Sequence, residues 1–215
     1  NDTRDYKVEY GGGNFVAFRA NVIRCSSDNY SEVHLSHFDN RDIKSAVYGD
    51  EKWVVVGSSG KTSYSTDCIN WSAGPDVGAD TLVKVVYGKN QFLAFNESES
   101  KYFYASSDNI SDNVSWTWGF GDYRFADVSF VDNEFIGVSG GDNYKIAMSS
   151  DNMSFYWVTF IGINYPAKHI TGGNGRLLAI PNSTYSVLFE GSKSNLTGSW
   201  YQNWLTKTVK SIHYF

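Results

Sequence analysis

Four aspartates stand two residues after a serine: Ser26 and Asp28, Ser65 and Asp67, Ser106 and Asp108, Ser149 and Asp151. A carboxylate beside a hydroxyl can move a proton, hold a cation, or brace a turn by accepting backbone N–H groups. Trp71, Trp116 and Trp157 follow three of these pairs, and Trp200 follows a fifth stretch in which Glu190 and Ser192 replace them. A catalytic or metal centre is needed once, not four times. Repetition therefore reads these aspartates as turn braces, each relieving N–H groups that lack ladder partners where two strands meet. The tryptophans are expected to bury their rings between units and give the indole N–H to a carbonyl.

A second set of residues suits ligand binding. Arg41, Asp76, Tyr123, Arg124, Asp142, Tyr144, Asn164, Tyr165 and Tyr185 fall in Gly-, Asn- and Asp-rich stretches expected to be loops on the face away from the S-x-D turns. Aromatic rings beside Asp, Asn and Arg match a sugar, whose apolar face stacks and whose hydroxyls need polar partners. Hydrolytic chemistry has less support. A sialidase needs several converging arginines, and only Arg19, Arg41 and Arg124, with Arg4, are placed to reach that face. A retaining glycosidase needs two carboxylates about 5 Å apart, and nothing singles out two among Asp76, Asp80, Asp122 and Asp142. His34, His37, His169 and His213 show no metal-ligand spacing. The expectation is no catalytic residue, no metal, no cofactor and no enzyme.

The elements that would position these residues repeat. An aromatic or Leu anchor recurs as Phe15, Trp53, Phe92, Phe135 and Leu177, in steps of 38, 39, 43 and 42 residues, and Tyr10, Tyr48, Tyr87, Phe130 and Gly172 stand five residues before each. Each unit reads as an alternating strand, a short polar hairpin, a very apolar strand, a third strand ending in S-x-D, and a short fourth strand. Four strands in about 40 residues, with no helical period, predict an all-β fold of β-propeller blades. Five blades follow in one domain over residues 1–215, with repeats near 5–40, 41–80, 81–122, 123–165 and 166–207. The C-terminal TVKSIHYF, 208–215, copies a first strand, and ring closure through a blade shared with the N-terminus is the favoured reading. A cut from a larger propeller and completion by another polypeptide are the alternatives. The first strands are expected to line a central channel, with Val8, Val86 and Val128 turned into blade packing.

The net charge of −5 offers no basic field for nucleic acid, and no apolar run is long enough to span a membrane. The start at Asn1 reads as a processed chain or a piece of a longer one. Cys25 and Cys68 occupy non-equivalent places in the repeat, so free buried thiols are expected.

The run VxYGxxxFxAF, then S-x-D, then Trp, resembles a degenerate Asp-box of sialidase-like propeller repeats, lacking that motif's usual glycine. It looks like the propellers of bacteriophage tail and fibre adhesins and of some bacterial surface proteins. The resemblance implies a non-enzymatic receptor- or glycan-binding module, extracellular or on a virion surface. Its partners would be a cell-surface glycan, a receptor protein or other virion proteins. A structural docking propeller is the alternative, and a glycoside hydrolase the third.

Overall fold

A computed structural model describes residues 6–38, 41–96, 101–106, 116–120, 125–139, 145–149, 155–159, 167–181, 187–194 and 201–204. They form five four-stranded antiparallel sheets, each in meander order. Sheet one holds β1 (Lys7–Gly11), β2 (Asn14–Arg19), β3 (Val22–Cys25) and β4 (Glu32–His34). Sheet two holds β5 (Ile43–Gly49), β6 (Lys52–Gly57), β7 (Thr62–Ser65) and β8 (Ser72–Ala73). Sheet three holds β9 (Leu82–Gly88), β10 (Gln91–Asn96), β11 (Lys101–Ser106) and β12 (Thr117–Phe120). Sheet four holds β13 (Phe125–Val131), β14 (Glu134–Ser139), β15 (Lys145–Ser149) and β16 (Phe155–Thr159). Sheet five holds β17 (Ala167–Gly173), β18 (Arg176–Pro181), β19 (Val187–Ser192) and β20 (Tyr201–Trp204). The chain divides into two compact units, Asn1–Gly119 and Phe120–Phe215.

The repeated anchors become cross-strand neighbours. Tyr10 faces Phe15, Tyr48 faces Trp53, Tyr87 faces Phe92, and Phe130 faces Phe135. Their ring centroids lie 4.8, 5.4, 4.7 and 4.9 Å apart, the tilted contact that stabilises a sheet pair beyond its burial. Each hairpin between them turns on two residues with positive φ, as in Asp50 and Glu51 (46° and 57°) or Lys89 and Asn90 (50° and 56°). That is the type I′ turn, whose twist matches the strands it joins. The glycine after the tyrosine has a separate cause. A Cβ on Gly49 would collide with the Tyr87 ring, and one on Gly11 with Tyr48. The Tyr-Gly pair thus leaves room for the next sheet's tyrosine.

Sheets stack through alternate residues. Val16, Phe18, Ile23 and Cys25 of sheet one bury against Ala46, Trp53, Val55 and Cys68 of sheet two. Val54 and Val56, on the other face of β6, join Val85, Phe92, Ala94 and Phe103 of sheet three. In the second unit, Ile136, Val138, Ile146 and Met148 bury against Ile170, Leu177 and Ala179. Side chains also stitch neighbouring first strands, which share no ladder. Lys7 Nζ donates to the Lys44 carbonyl at 2.7 Å. Asp127 accepts the Ile170 N–H at 3.0 Å, and Ser129 Oγ donates to the Ile170 carbonyl at 2.6 Å.

Two expectations change. Cys25 and Cys68 form a disulfide, with Cα atoms 6.0 Å apart, within the usual span of such a bridge; free thiols are not what the structure holds. Val8 does not enter blade packing. It is 55% exposed, and its neighbours Tyr10 and Phe15 are 60% and 48% exposed, whereas the equivalent Trp53 is 1% exposed and Phe92 is fully buried. One face of sheet one is thus open where sheets two and three are covered. The four described strands of sheet one all come from residues 7–34. The closing strand expected at 208–215 lies outside the described residues.

Candidate ligand face

Each sheet has two ends. At the hairpin end, carboxylates satisfy backbone donors. Asp67 Oδ1 accepts the N–H groups of Ile69 (2.9 Å) and Asn70 (2.7 Å) and the Ser65 hydroxyl (3.0 Å), while Oδ2 accepts Asn70 Nδ2 at 2.7 Å. The Asn70 bonds, backbone first, then that of Ile69, hold its pKa far below the usual carboxylate range. Trp71 Nε1 donates to the Cys68 carbonyl at 2.9 Å, closing the same turn. The other copies differ. Ser26 Oγ accepts the Phe15 N–H at 2.9 Å, and Ser149 Oγ accepts the Phe135 N–H at 3.0 Å. Asp28 ends a 3-10 turn, and among the described residues neither its buried Oδ1 nor Nε1 of buried Trp116 has a hydrogen-bond partner. Ser106 closes β11. Trp157 lies in β16, while Asp108, Asp151 and Trp200 fall outside the described residues. Between sheets four and five, Asp132 accepts the N–H groups of Asn174 (3.1 Å) and Gly175 (2.7 Å).

The loop end of the first unit is built differently. Connections between sheets are anchored by apolar plugs: Leu35 and Phe38 below the first, Val77 below the second. The second is further tied to the β6–β7 turn, with Val77 N–H on the Gly60 carbonyl at 2.9 Å and Thr62 Oγ1 on the Pro75 carbonyl at 2.8 Å. This fixes Asp76 next door. His37 Nε2 lies 2.9 Å from Asp76 Oδ1, and Lys61 Nζ donates to Oδ2 at 2.7 Å. Three successive segments, through His37, Lys61 and Asp76, thus meet at one carboxylate. Exposed Arg41 closes the turn after His37, its N–H on the Phe38 carbonyl at 2.7 Å. Asp42 pairs with Lys44 at 3.0 Å, and Asp80 accepts Asn96 Nδ2 at 3.4 Å.

Of the sequence-derived ligand set, the structure describes Arg41 and Asp76 and puts both at this end. Tyr123, Arg124, Asp142, Tyr144, Asn164, Tyr165 and Tyr185 lie outside the described residues. His37 and Lys61 were missed. A signal was present for His37, which is 39 residues, one repeat length, from Asp76, but not for Lys61, which is 15 residues from it. Among the described residues no group of three His, Cys, Asp or Glu side chains can hold a metal ion. The fixed groups offer cationic and N–H donors beside a carboxylate, an arrangement suited to hydroxyls and anionic groups.

The sequence matches no family model, and a search of curated proteins finds no match. Solved structures do resemble it. A streptogramin B lyase superposes with a TM-score of 0.73 at 12% identity, covering 94% of this chain and 69% of that one. A catalytically inactive virginiamycin B lyase from Staphylococcus aureus, solved with quinupristin, gives 0.77 at 11% identity, covering 94% and 70%. YCF48 bound to D1 peptide gives 0.66 at 14%, covering 94% and 68%. These are propeller-type structures, and at such identities the likeness shows the fold alone: this chain is of the β-propeller type. The expectation that the domain is no enzyme is corrected by the same comparison, because lyases are among the solved structures it resembles.

Proposed function

We propose that the chain is a recognition propeller, a receptor- or glycan-binding domain of a phage tail, fibre or comparable surface structure, that engages its ligand at the loop end. The five sheets are read as five blades. One observation carries the reading. In the first unit Asp67, at the hairpin end, is taken up by backbone N–H groups, whereas at the loop end His37, Lys61 and Asp76 hold one another, with Arg41 exposed in the same connection as His37. Groups ordered by other side chains, not used by the backbone, are what a ligand can address. The Cys25–Cys68 disulfide supports placement outside a reducing cytosol.

A glycan array with the purified chain tests this, beside an Arg41→Ala, Asp76→Ala double variant. Selective binding that the variant loses by tenfold or more is expected. Binding that the variant retains moves the site elsewhere, and a blank array from folded protein removes the glycan reading. A docking role is the second reading. It is favoured by the open face of Val8, Tyr10 and Phe15, and one structural neighbour, YCF48, was solved with a peptide bound.

A further inference from the structure

The described stacks share one order. Sheet one covers the Tyr48–Trp53 face of sheet two, sheet two covers the Tyr87–Phe92 face of sheet three, and in the second unit sheet four covers the Leu177 face of sheet five. In each, the cover comes from the sheet immediately before in sequence. The corresponding face of sheet one is bare. There Val8 faces Ala17 and Tyr10 faces Phe15, and Val8, Tyr10 and Phe15 are exposed. The residues in the same places of sheets two and three, Ala46, Val55 and Trp53, then Val85, Ala94 and Phe92, are all buried. Nothing within sheet one accounts for the difference. Its ring pair keeps the tilted contact, and its hairpin keeps two positive-φ residues, Gly12 (55°) and Gly13 (79°). Sheet one thus carries one half of a stacking interface.

We infer that the Val8–Tyr10–Phe15 face receives a further four-stranded sheet of the same repeat, carried on the N-terminal side of Asn1 in the same polypeptide. The repeat defines what that sheet must look like. Gly11 leaves room for Tyr48, and Gly49 for Tyr87. Tyr10 stands in the place of Tyr48, so the first strand of the incoming sheet ends in a glycine that admits the Tyr10 ring. Its second and third strands present alternate apolar side chains, as Val16, Phe18 and Ile23 do towards sheet two. On the outer strands of the bare face Arg24 and Glu32 pair with each other, in register with Ala17, so the cover meets no lone charge there. An exposed aromatic patch of this kind marks an interaction surface, and in a stacked array each unit's apolar face is made to be buried by its neighbour. The two lyase structures, matched over 94% of this chain, are matched over only 69% and 70% of themselves, so the fold they share with it has room for more sheets. The reading of the loop end as a ligand face is independent of this.

The test compares the 215-residue chain with the same chain extended by what its own coding sequence supplies upstream of Asn1, about 40 residues or one repeat. The upstream residues are expected to read as an alternating strand ending in an aromatic-glycine pair, a two-residue hairpin and a very apolar strand. The extended chain is expected to bind ANS at least fivefold less than the 215-residue chain. Tyr10→Ser with Phe15→Ser should leave the urea midpoint of the short chain nearly unmoved and lower that of the extended one. An initiator codon directly upstream, or an upstream segment without the repeat, would overturn the inference whether or not the extended chain folds. So would an extended chain that binds the dye as strongly as the short one. A short chain that binds no dye and is damaged by the double substitution would mean that its own residues already cover the face. Sedimentation of the extended chain as a dimer that the double substitution dissociates would give the face to a second copy. Either result overturns the proposal.

Discussion

Asp67 uses both carboxylate oxygens to hold a turn that contains Ile69, Asn70 and Trp71. Its pKa is lowered in the fold, so its contribution is present above the unfolded carboxylate value near 4 and disappears as pH falls through the depressed folded value. Asp67→Asn is expected to lower stability by about 1 kcal/mol at pH 7. The deficit should shrink towards zero as the wild type itself is protonated in strong acid. Urea unfolding at pH 7, 4 and 2 checks both the size and the direction. The neighbouring hairpin gives the opposite case. Glu51 sits at φ 57°, a conformation that costs a side chain with a Cβ about 1–2 kcal/mol. Glu51→Gly removes that strain and adds unfolded-chain entropy, for a net gain of about 0.5–1 kcal/mol, read as a rise in the urea midpoint with an unchanged slope.

Sheet one depends on a single neighbour for its apolar cover within the first unit. Val16, Phe18 and Ile23 are buried against sheet two, and the opposite face is open. In a stacked array an element with one interface has roughly half the coupling of an inner one. The disulfide sits at this element. It joins the end of β3 to the turn after β7, across 43 residues of chain. By the chain-entropy account, a loop of that length is stabilised by about 4 kcal/mol. A Cys25→Ser, Cys68→Ser double variant is expected to lose about 2–4 kcal/mol. Hydrogen exchange should show the loss concentrated in residues 14–25 and 62–68, with β9 and β10 much less affected; a uniform loss would mean the bridge does not serve sheet one in particular. The strands themselves were legible in sequence, because each apolar run, each Tyr-Gly and each two-residue turn repeats for a local reason. The disulfide was not. Cys25 ends a third strand and Cys68 lies within a turn, so comparison of equivalent positions could not pair them.

Among the described residues, many contacts between sheets fall at about one repeat length. Lys7 bonds 37 residues on, His37 39 on, Ser129 41 on, Asp132 42 on, and Asp127 and Cys25 43 on. A stack of like units places each residue beside its counterpart in the next one. Complementary side chains one period apart therefore predict contacts, although exact equivalence does not. Arg41 and Asp76 were legible as loop-end residues by their place in the repeat. His37 was legible only through its one-period distance from Asp76, and Lys61, 15 residues from Asp76, was not legible at all. The same logic isolates the open face. Tyr10 and Phe15 are the counterparts of Tyr48 and Trp53, yet they have no earlier sheet against them in the first unit. Among the described residues, the exposed large hydrophobics are Val8, Tyr10, Phe15 and Tyr30, all in sheet one or the turn between β3 and β4. A contiguous apolar face of this kind should bind a dye such as ANS in the native state. A Tyr10→Ser, Phe15→Ser variant is expected to lose most of that fluorescence and less than about 1 kcal/mol of stability, because little buried area is removed. Trp53→Ala, at the equivalent covered position, should cost about 3–5 kcal/mol. If the Tyr10 and Phe15 variant instead proved as damaging as Trp53→Ala, the face would be covered in solution, and the dye would find nothing to bind in the wild type.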